Sequence, residues 1–383
     1  MKMFEIKDYH NSIMLLLAFM ISFLLHLLLF GTAPMVDHIM TEMNLSHAQF
    51  GLIFSVSMIS IMVLRIPWGI VSDKYGYVKI LKLSLPIIAT SSFLRSFSPN
   101  YYTLMFSQFL LGIGFASILP CLTLLVRDLF PLKTGVATGV YTSGFALGNG
   151  AALGITPYLL KIFEWRDILF YYSIFAVFIT ILYWIVSEES AQTNKKIDKN
   201  IFKIIKKSHV LILIFFMIAA MGCYDTLATW IPKILEFKFL SKYPAILLSL
   251  GFLLSGPIIG TVSDKFTSDK FLIGLLGVLS FLSIIGIILL PPPLLWGSIF
   301  LTGFFLMGNL TLTLKEPAKN DKLKQSAGKV TGIISSIGNI GPIFIPVLFG
   351  YLIDITYTYI LSMIIVGLIA LATFVSGSYL LRE

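Results

Sequence analysis

The chain has 383 residues, of which 57% are hydrophobic and only 12% charged, with a formal net charge of +9. A soluble protein carries about 25% charged residues, so a globule of this composition could not cover its apolar surface in water, and a lipid-facing surface is required. The two cysteines, Cys121 and Cys223, both sit inside apolar runs, which excludes a disulfide framework or a thiolate metal centre and leaves them as packing residues.

Twelve runs reach the roughly 20 apolar residues that a membrane helix needs: residues 12–34, 48–71, 78–98, 101–126, 134–160, 166–187, 209–232, 243–262, 271–291, 294–314, 326–352 and 358–380. The polar start, Met1 to Asn11, leads into the first run without a small-residue cleavage site, so that run reads as a retained helix rather than a signal peptide. It carries His26, either a hydrogen-bonded packing residue or a contact for substrate or a proton. The second run carries Arg65, followed by Pro67, and closes on Gly69-Ile-Val-Ser-Asp73-Lys74-Tyr75-Gly76. A charge inside a span is costly and marks a functional candidate by default. The structural alternative for Arg65 is pairing with a backbone carbonyl or with Asp73. The third run ends at Ser98-Pro99-Asn100, and Arg95 near that end is expected to snorkel to the interface.

The fourth run has Gln108 ahead of Leu111-Gly112-Ile113-Gly114. The fifth opens with Gly135 and Gly139 and carries Tyr141 and Gly148-Asn149-Gly150. After the sixth run comes the longest polar segment, Ser187 to Ser208, with six lysines. It divides the chain into an N-terminal six-helix bundle (1–187), a basic cytoplasmic linker (188–208) and a C-terminal six-helix bundle (209–383). The seventh run holds Tyr224 and Asp225 and ends at Trp230-Ile231-Pro232. Asp225 could accept a proton during a cycle, or pack against a hydroxyl or amide. The eighth closes on Gly260-Thr-Val-Ser-Asp264-Lys265-Phe266 and the ninth on Pro291-Pro292-Pro293. The tenth carries Asn309. The eleventh opens with Gly328 and Gly332 and carries Gly338-Asn339-Ile340-Gly341.

Basic residues set the expected orientation. With the N-terminus in the cytoplasm, 21 Lys and Arg fall in inside segments and 5 in outside segments, with Arg65 and Arg95 within spans. This follows the positive-inside rule and places both termini of a multi-pass cell-membrane protein in the cytoplasm. The net charge is then a matter of topology rather than of nucleic-acid binding.

The halves repeat. Asp73 and Asp264 lie 191 residues apart, Asn149 and Asn339 190 apart, and Gly135 and Gly328 193 apart. Parallel six-helix repeats with a binding site near mid-membrane are a transporter architecture.

The string Gly69-x-x-x-Asp73-Lys74-x-Gly76 is similar to the signature loop of the major facilitator superfamily, with an echo at Gly260, Asp264 and Lys265. The layout resembles that family over essentially the whole chain. The resemblance implies an all-α integral membrane fold of twelve transmembrane helices in two pseudo-symmetric six-helix bundles. It gives these motif residues a gating role, with Gly69 allowing close helix contact. Asp73 would sit near the N-terminal end of another helix, in the family the eleventh. Tyr77 stands where the family usually has a base.

The string Leu64-Arg65-Ile66-Pro67 looks like the second helix of the nitrate/nitrite porter branch, where the arginine binds the anion. The chain also resembles the cyanate and organic-anion porters. A planar guanidinium suits a small oxyanion or carboxylate. That branch carries a second arginine in the eighth helix; the residue eight before Asp264, matching Arg65 before Asp73, is Gly256. The glycine-rich strings at 148–150 and 338–341 are similar to that branch as well.

The expectation is therefore a monomeric secondary transporter of a small organic or inorganic anion, working by alternating access. Arg65, His26, Tyr141, Asn149, Tyr224, Asn309 and Asn339 are the substrate-contact candidates and Asp225 the coupling group. The alternatives are a proton-coupled carrier of a neutral, cationic or hydrophobic compound, and a non-transporting sensor. An enzyme is not expected, since no nucleotide loop, His-Glu-x-x-His string or metal-spaced cluster occurs. No cofactor or metal is expected. The partners are the small-molecule substrate, a coupling proton or ion, and the lipid bilayer.

Overall fold

The computed structural model describes residues 2–188, 208–265, 269–320, 323 and 327–381. The expected linker lies outside these residues except at its two ends, as do Phe266, Lys322, Lys324 and Arg382. Among the described residues the chain is all helix. The N-terminal part comprises α1 (Lys2–Phe30), α2 (Val36–Met43), α3 (His47–Tyr75), α4 (Tyr77–Ser96), α5 (Tyr101–Leu129), α6 (Thr134–Leu159) and α7 (Trp165–Val186). The C-terminal part comprises α8 (Ser208–Phe237), α9 (Ile246–Ser263), α10 (Lys270–Leu289), α11 (Leu294–Lys319), α12 (Ala327–Gly338), α13 (Ile340–Thr356) and α14 (Ile360–Leu380).

All twelve expected runs are helical. Among the described residues, eleven segments are long and apolar enough to cross a membrane. The remaining expected span is α6, 26 residues without a charge, whose glycines, threonines and serine lower its hydropathy. Breakers act where the sequence places them. Asn100, after Pro99, caps α5 by accepting from Thr103 N at 3.1 Å, and Thr103 Oγ1 accepts from Asn100 N at 3.3 Å. Gly76 stands between α3 and α4 at φ 88°, a left-handed backbone that favours glycine.

The eleventh run is one expected span but two helices. Asn339 interrupts it: its Nδ2 donates to Ser335 O at 2.9 Å and to Ser336 O at 3.3 Å. Pro342, three residues on, has no N–H to offer Gly338 O. Together these end α12 and restart the chain as α13.

The chain forms two compact units, Met1–Met35 with Ile59–Ile197, and Val36–Met58 with Asp198–Glu383. Residues 36–58, which precede the repeat boundary in sequence, group with the second unit. Within the first unit α1 packs along α6, and α4 packs on α5 and α7. Within the second, α8 packs along α12 and α13, and α10 packs on α11 and α14. The same pairing thus recurs in each repeat.

Small residues set the closest approaches. A Cβ on Gly148 of α6 would lie 2.1 Å from Phe23 O of α1, and one on Gly341 of α13 would lie 2.1 Å from Ile218 O of α8. Helix association in lipid lacks a hydrophobic driving force and depends on such packing. Gly69 does not act this way, contrary to the sequence expectation. A Cβ there would meet only Pro120 Cβ at 3.8 Å, an ordinary contact, because α3 and α5 are held apart at that level by the proline ring. A Cβ on Gly260 would meet nothing within 4 Å.

Gly148→Ala is expected to destabilise the protein by about 1–3 kcal/mol, since the obstacle is backbone that must shift. Gly297→Ala, where nothing lies within 4 Å, is expected to be neutral or slightly stabilising through helix propensity. Thermal unfolding of the two purified variants in one detergent checks the contrast.

Candidate functional site

In the first unit, α6 presents Tyr141, Phe145 and Asn149 one turn apart, on one stripe. The register set at Gly148 brings this stripe against α1. His26 of α1 lies with its ring 4.7 Å from Phe145, 6.2 Å from Phe115 of α5 and 5.6 Å from Phe30. Tyr141 meets Phe145 edge-on at 6.2 Å. Two of the sequence candidates, His26 and Tyr141, therefore share one aromatic cluster. The His26 Nδ1 atom is buried and has no hydrogen-bond partner among the described residues. Asn149 is fully buried. Arg65 is half-buried in the C-terminal half of α3, two residues before Pro67.

In the second unit, Tyr224 of α8 is buried and meets Phe252 of α9 at 5.4 Å. The adjacent Asp225 is half-buried, and no hydrogen bond reaches its carboxylate among the described residues. α9 and α11 run in parallel, with Leu248 at Gly303 and Ile259 at Gly308. This register places Asn309 at the level of Ser255. Both are fully buried, and the amide oxygen, the amide nitrogen and the hydroxyl lack partners among the described residues. Sequence reasoning missed Ser255, because a serine in an apolar run gives no signal until its neighbour is known. Next to it, a Cβ on Gly256 would lie 3.9 Å from Thr311 Oγ1. The place matching Arg65 in the second repeat thus has a neutral hydroxyl beside it. Asn339, 1% exposed, uses its Nδ2 in the α12–α13 break and keeps a buried Oδ1 without a partner.

The two signature loops differ in what they bind. At the first, Tyr77 OH donates to Asp128 Oδ2 at 3.0 Å, at the end of α5; the phenol occupies the place of the family's base and ties α4 to α5 by a hydrogen bond instead of a charge. Lys74 lies over the Tyr75 ring at 5.0 Å. At the second, Asp264 pairs with Lys315 of α11. Lys315 also donates to Ser263 Oγ at 3.0 Å, while Lys319 and Ser263 Oγ both donate to Asp269 Oδ1 at 2.8 Å. The hydrogen bond from Lys315 holds the Asp264 carboxyl below the usual carboxylate range. Its contribution is present above that usual range and fades as pH falls through the lowered value.

Arg95 does not snorkel. It is fully buried, and Nη1 donates to Leu28 O at 2.7 Å and to Gln108 Oε1 at 3.1 Å. The cause is local: α1 ends at Phe30, so Leu28 O is one of the last carbonyls, which the helix ladder leaves unsatisfied. A cation at a helix C-terminus is favoured by the macrodipole as well. Cys121 and Cys223 are both buried and free, as their apolar settings imply.

Residues 17–315 match the family pattern described as Major Facilitator Superfamily. The nitrite extrusion protein of Bacillus subtilis (strain 168) is 24% identical over 357 residues, covering 90% of this chain and 88% of that protein. A probable nitrate transporter, NarT, of Staphylococcus haemolyticus (strain JCSC1435) is 22% identical over 366 residues, covering 92% of each. Among solved structures, a bacterial homologue of the human lysosomal transporter Spinster superposes with a TM-score of 0.79 at 15% identity, covering 97% of both chains.

Arg95→Ala is expected to cost about 3 kcal/mol, since it leaves a cavity and two buried acceptors unpaired. Arg95→Lys should recover part of that loss, because an ammonium keeps the charge and donors for these two acceptors but leaves the volume of the planar guanidinium unfilled. Thermal unfolding of both variants in detergent measures the difference.

Proposed function

The chain belongs to the Major Facilitator Superfamily, and on that premise we propose that this membrane transporter moves a small anion, with Arg65 as the residue that holds it. The observation that carries the reading is Arg65 itself. It is a guanidinium within a transmembrane helix, half-buried, in a string, Leu64-Arg65-Ile66-Pro67, that resembles the second helix of the nitrate/nitrite porter branch. Planar donors in a site of low dielectric recognise an oxyanion or carboxylate through charge-assisted hydrogen bonds. The names of the similar proteins, a nitrite extrusion protein and nitrate transporters, support a small anion as cargo.

Gly256 narrows the proposal. The second repeat supplies no cation where the branch has its second arginine, so the cargo is held by one positive charge. Neutral donors and acceptors near that place, Thr311 and the buried Ser255 and Asn309, recognise shape and hydrogen-bonding pattern rather than charge. A cargo with a single negative charge and further polar atoms fits this set. His26, Tyr141 and Asn149 are the further contacts in the first unit, and Tyr224 and Asn339 those in the second.

Movement is by alternating access, drawing on a solute or ion gradient. Asp225 is the coupling group in this reading, since its carboxylate is half-buried in α8 without a hydrogen-bond partner among the described residues. A carboxylate so placed can take up and release a proton without dismantling a structural bond. The protein acts as a monomer in the cell membrane with both termini in the cytoplasm, an orientation supported by the 21 to 5 division of basic residues.

Uptake of nitrate, nitrite and small carboxylates into proteoliposomes tests the anion site. Arg65→Ala is expected to lower transport of the accepted anion at least tenfold, and Arg65→Lys to leave a residue of it; unchanged anion uptake in Arg65→Ala would remove Arg65 from the mechanism. Asp225→Asn is expected to abolish stimulation by an imposed pH gradient while leaving counterflow of the same anion. Equal stimulation in the variant and its parent would exclude Asp225 as the coupling group.

A further inference from the structure

Helix α3 opens at Ser46 with a capping box: Gln49 N donates to Ser46 Oγ at 3.2 Å, and Ser46 N to Gln49 Oε1 at 2.9 Å. The box leaves the N–H groups of His47 and Ala48 without helical partners. Both are taken by a residue far along the chain. Asp354, in the last turn of α13, accepts from His47 N on Oδ1 and from Ala48 N on Oδ2, each at 2.9 Å. His47 Nδ1 meets the same Oδ1 at 2.8 Å. A carboxylate at this end of a helix faces the positive pole of the macrodipole.

Beyond this cap, α3 and α13 run antiparallel at backbone distance. A Cβ on Gly350 would lie 2.3 Å from His47 O, and one on Gly51 would lie 2.6 Å from Pro346 O. Ser55 Oγ reaches Pro342 O at 3.3 Å. Trp230 of α8 closes the side of the contact. Its Nε1 donates to Pro346 O at 3.1 Å, and its ring meets Phe50 edge-on at 5.6 Å.

A second tie acts on the segment just before α3. Asp37 of α2 binds Lys233 of α8 through Oδ1 and Lys242 through Oδ2, the latter at 2.8 Å. Glu236 forms an ion pair with Lys242 as well, Oε2 lying 2.8 Å from Nζ. The segment 36–58 is therefore held by two carboxylates, Asp37 at the start of α2 and Asp354 at the start of α3.

We propose that Asp354 and Asp37 form a two-point clamp that seats residues 36–58 on α8 and α13 and sets the equilibrium between the seated and released forms during transport. The chemistry suits a reversible tie. The side chains of His47, Asp354 and Asp37 are 21%, 24% and 22% exposed, so water reaches both points and can rehydrate the carboxylates and freed N–H groups on release. The rest of the contact, around Gly51, Ser55 and Pro346, is backbone packing with one neutral hydrogen bond, from Ser55 Oγ to Pro342 O, and parts without leaving a buried charge. A clamp of this kind holds through its ends and releases as one piece.

The test uses purified full-length protein in detergent, with Cys121→Ala and Cys223→Ala as background and Ser55→Cys as reporter. Ser55 is fully buried against α13, so a maleimide reaches a thiol there only when the segment lifts. Asp354→Ala and Asp37→Ala are each expected to raise the labelling rate about tenfold, which corresponds to about 1.4 kcal/mol in the seated-to-released equilibrium. Asp354→Asn should fall between, since one acceptor remains but the charge is gone. Ser280→Cys in α10, buried and away from the clamp, must stay protected throughout. Labelling of Ser55→Cys within twofold of the parent in these variants overturns the proposal. If Asp354→Ala also exposes Ser280→Cys, the fold has opened, and Asp354→Asn with Lys242→Gln decides: protection of Ser55→Cys in both overturns the clamp. The readout needs no cargo, so its failure is separate from failure of the anion reading.

Discussion

Close backbone contact between helices is the constraint on which the rest of this structure depends. Inside a bilayer, apolar side chains gain little by exchanging lipid for another helix, so association rests on packing. Here that packing is set by small residues in the fifth and eleventh spans of the two repeats. Gly148 lets α6 settle on Phe23 O of α1, and Gly341 lets α13 settle on Ile218 O of α8. These contacts fix the rotation and register of each pair. They decide that Tyr141 and Phe145 face His26, and that Asn339 falls at the break between α12 and α13.

Within that frame, the polar groups follow a second rule: in lipid, each must find a protein partner. Arg95 obeys it only in part: Nη1 satisfies the exposed end of α1 and the Gln108 amide oxygen, while Nε and Nη2 are buried without a partner among the described residues. Tyr77 obeys it through Asp128, and Asp264 and the Oδ1 atom of Asp269 through two lysines of α11. Other buried polar atoms stay unpaired among the described residues, and His26, Asn309 and Asn339, all selected by sequence as substrate contacts, are among the residues that carry them. Such atoms are expensive unless something else completes them during the working cycle.

The duplication explains both the likeness and the difference of the repeats. Helix pairing is the same in each, since it follows from shared glycines and shared hydropathy. Chemistry at matched positions has diverged. Arg65 has no equivalent in the second repeat, where Gly256 stands at the matching position with Thr311 beside it. The first loop ends in Tyr77 and a hydrogen bond, the second in Asp264 and an ion pair. A packing scheme constrained by backbone distance tolerates such exchanges of side chain at its polar margins.

The sequence by itself determined the membrane class, the twelve runs, the repeat, and the residues whose charge is costly in lipid. These are properties of single segments, governed by local hydropathy and by spacing along the chain. Helix breaks at Pro99-Asn100 and Gly76 were legible for the same reason. Tertiary structure alone decided where side chains from distant segments meet. The capping of α3 by Asp354, 307 residues beyond His47, left no local mark, because a carboxylate near a helix end reads equally well as a solvated group. Arg95 misled because its distance from the span's end suggested snorkelling, whereas its partner was a carbonyl freed by the end of a different helix. Gly69 misled in the opposite direction: its motif implied close contact, and the neighbouring helix does not come near enough to need it. In each case the deciding quantity was a distance between helices, which packing fixes and no single segment encodes.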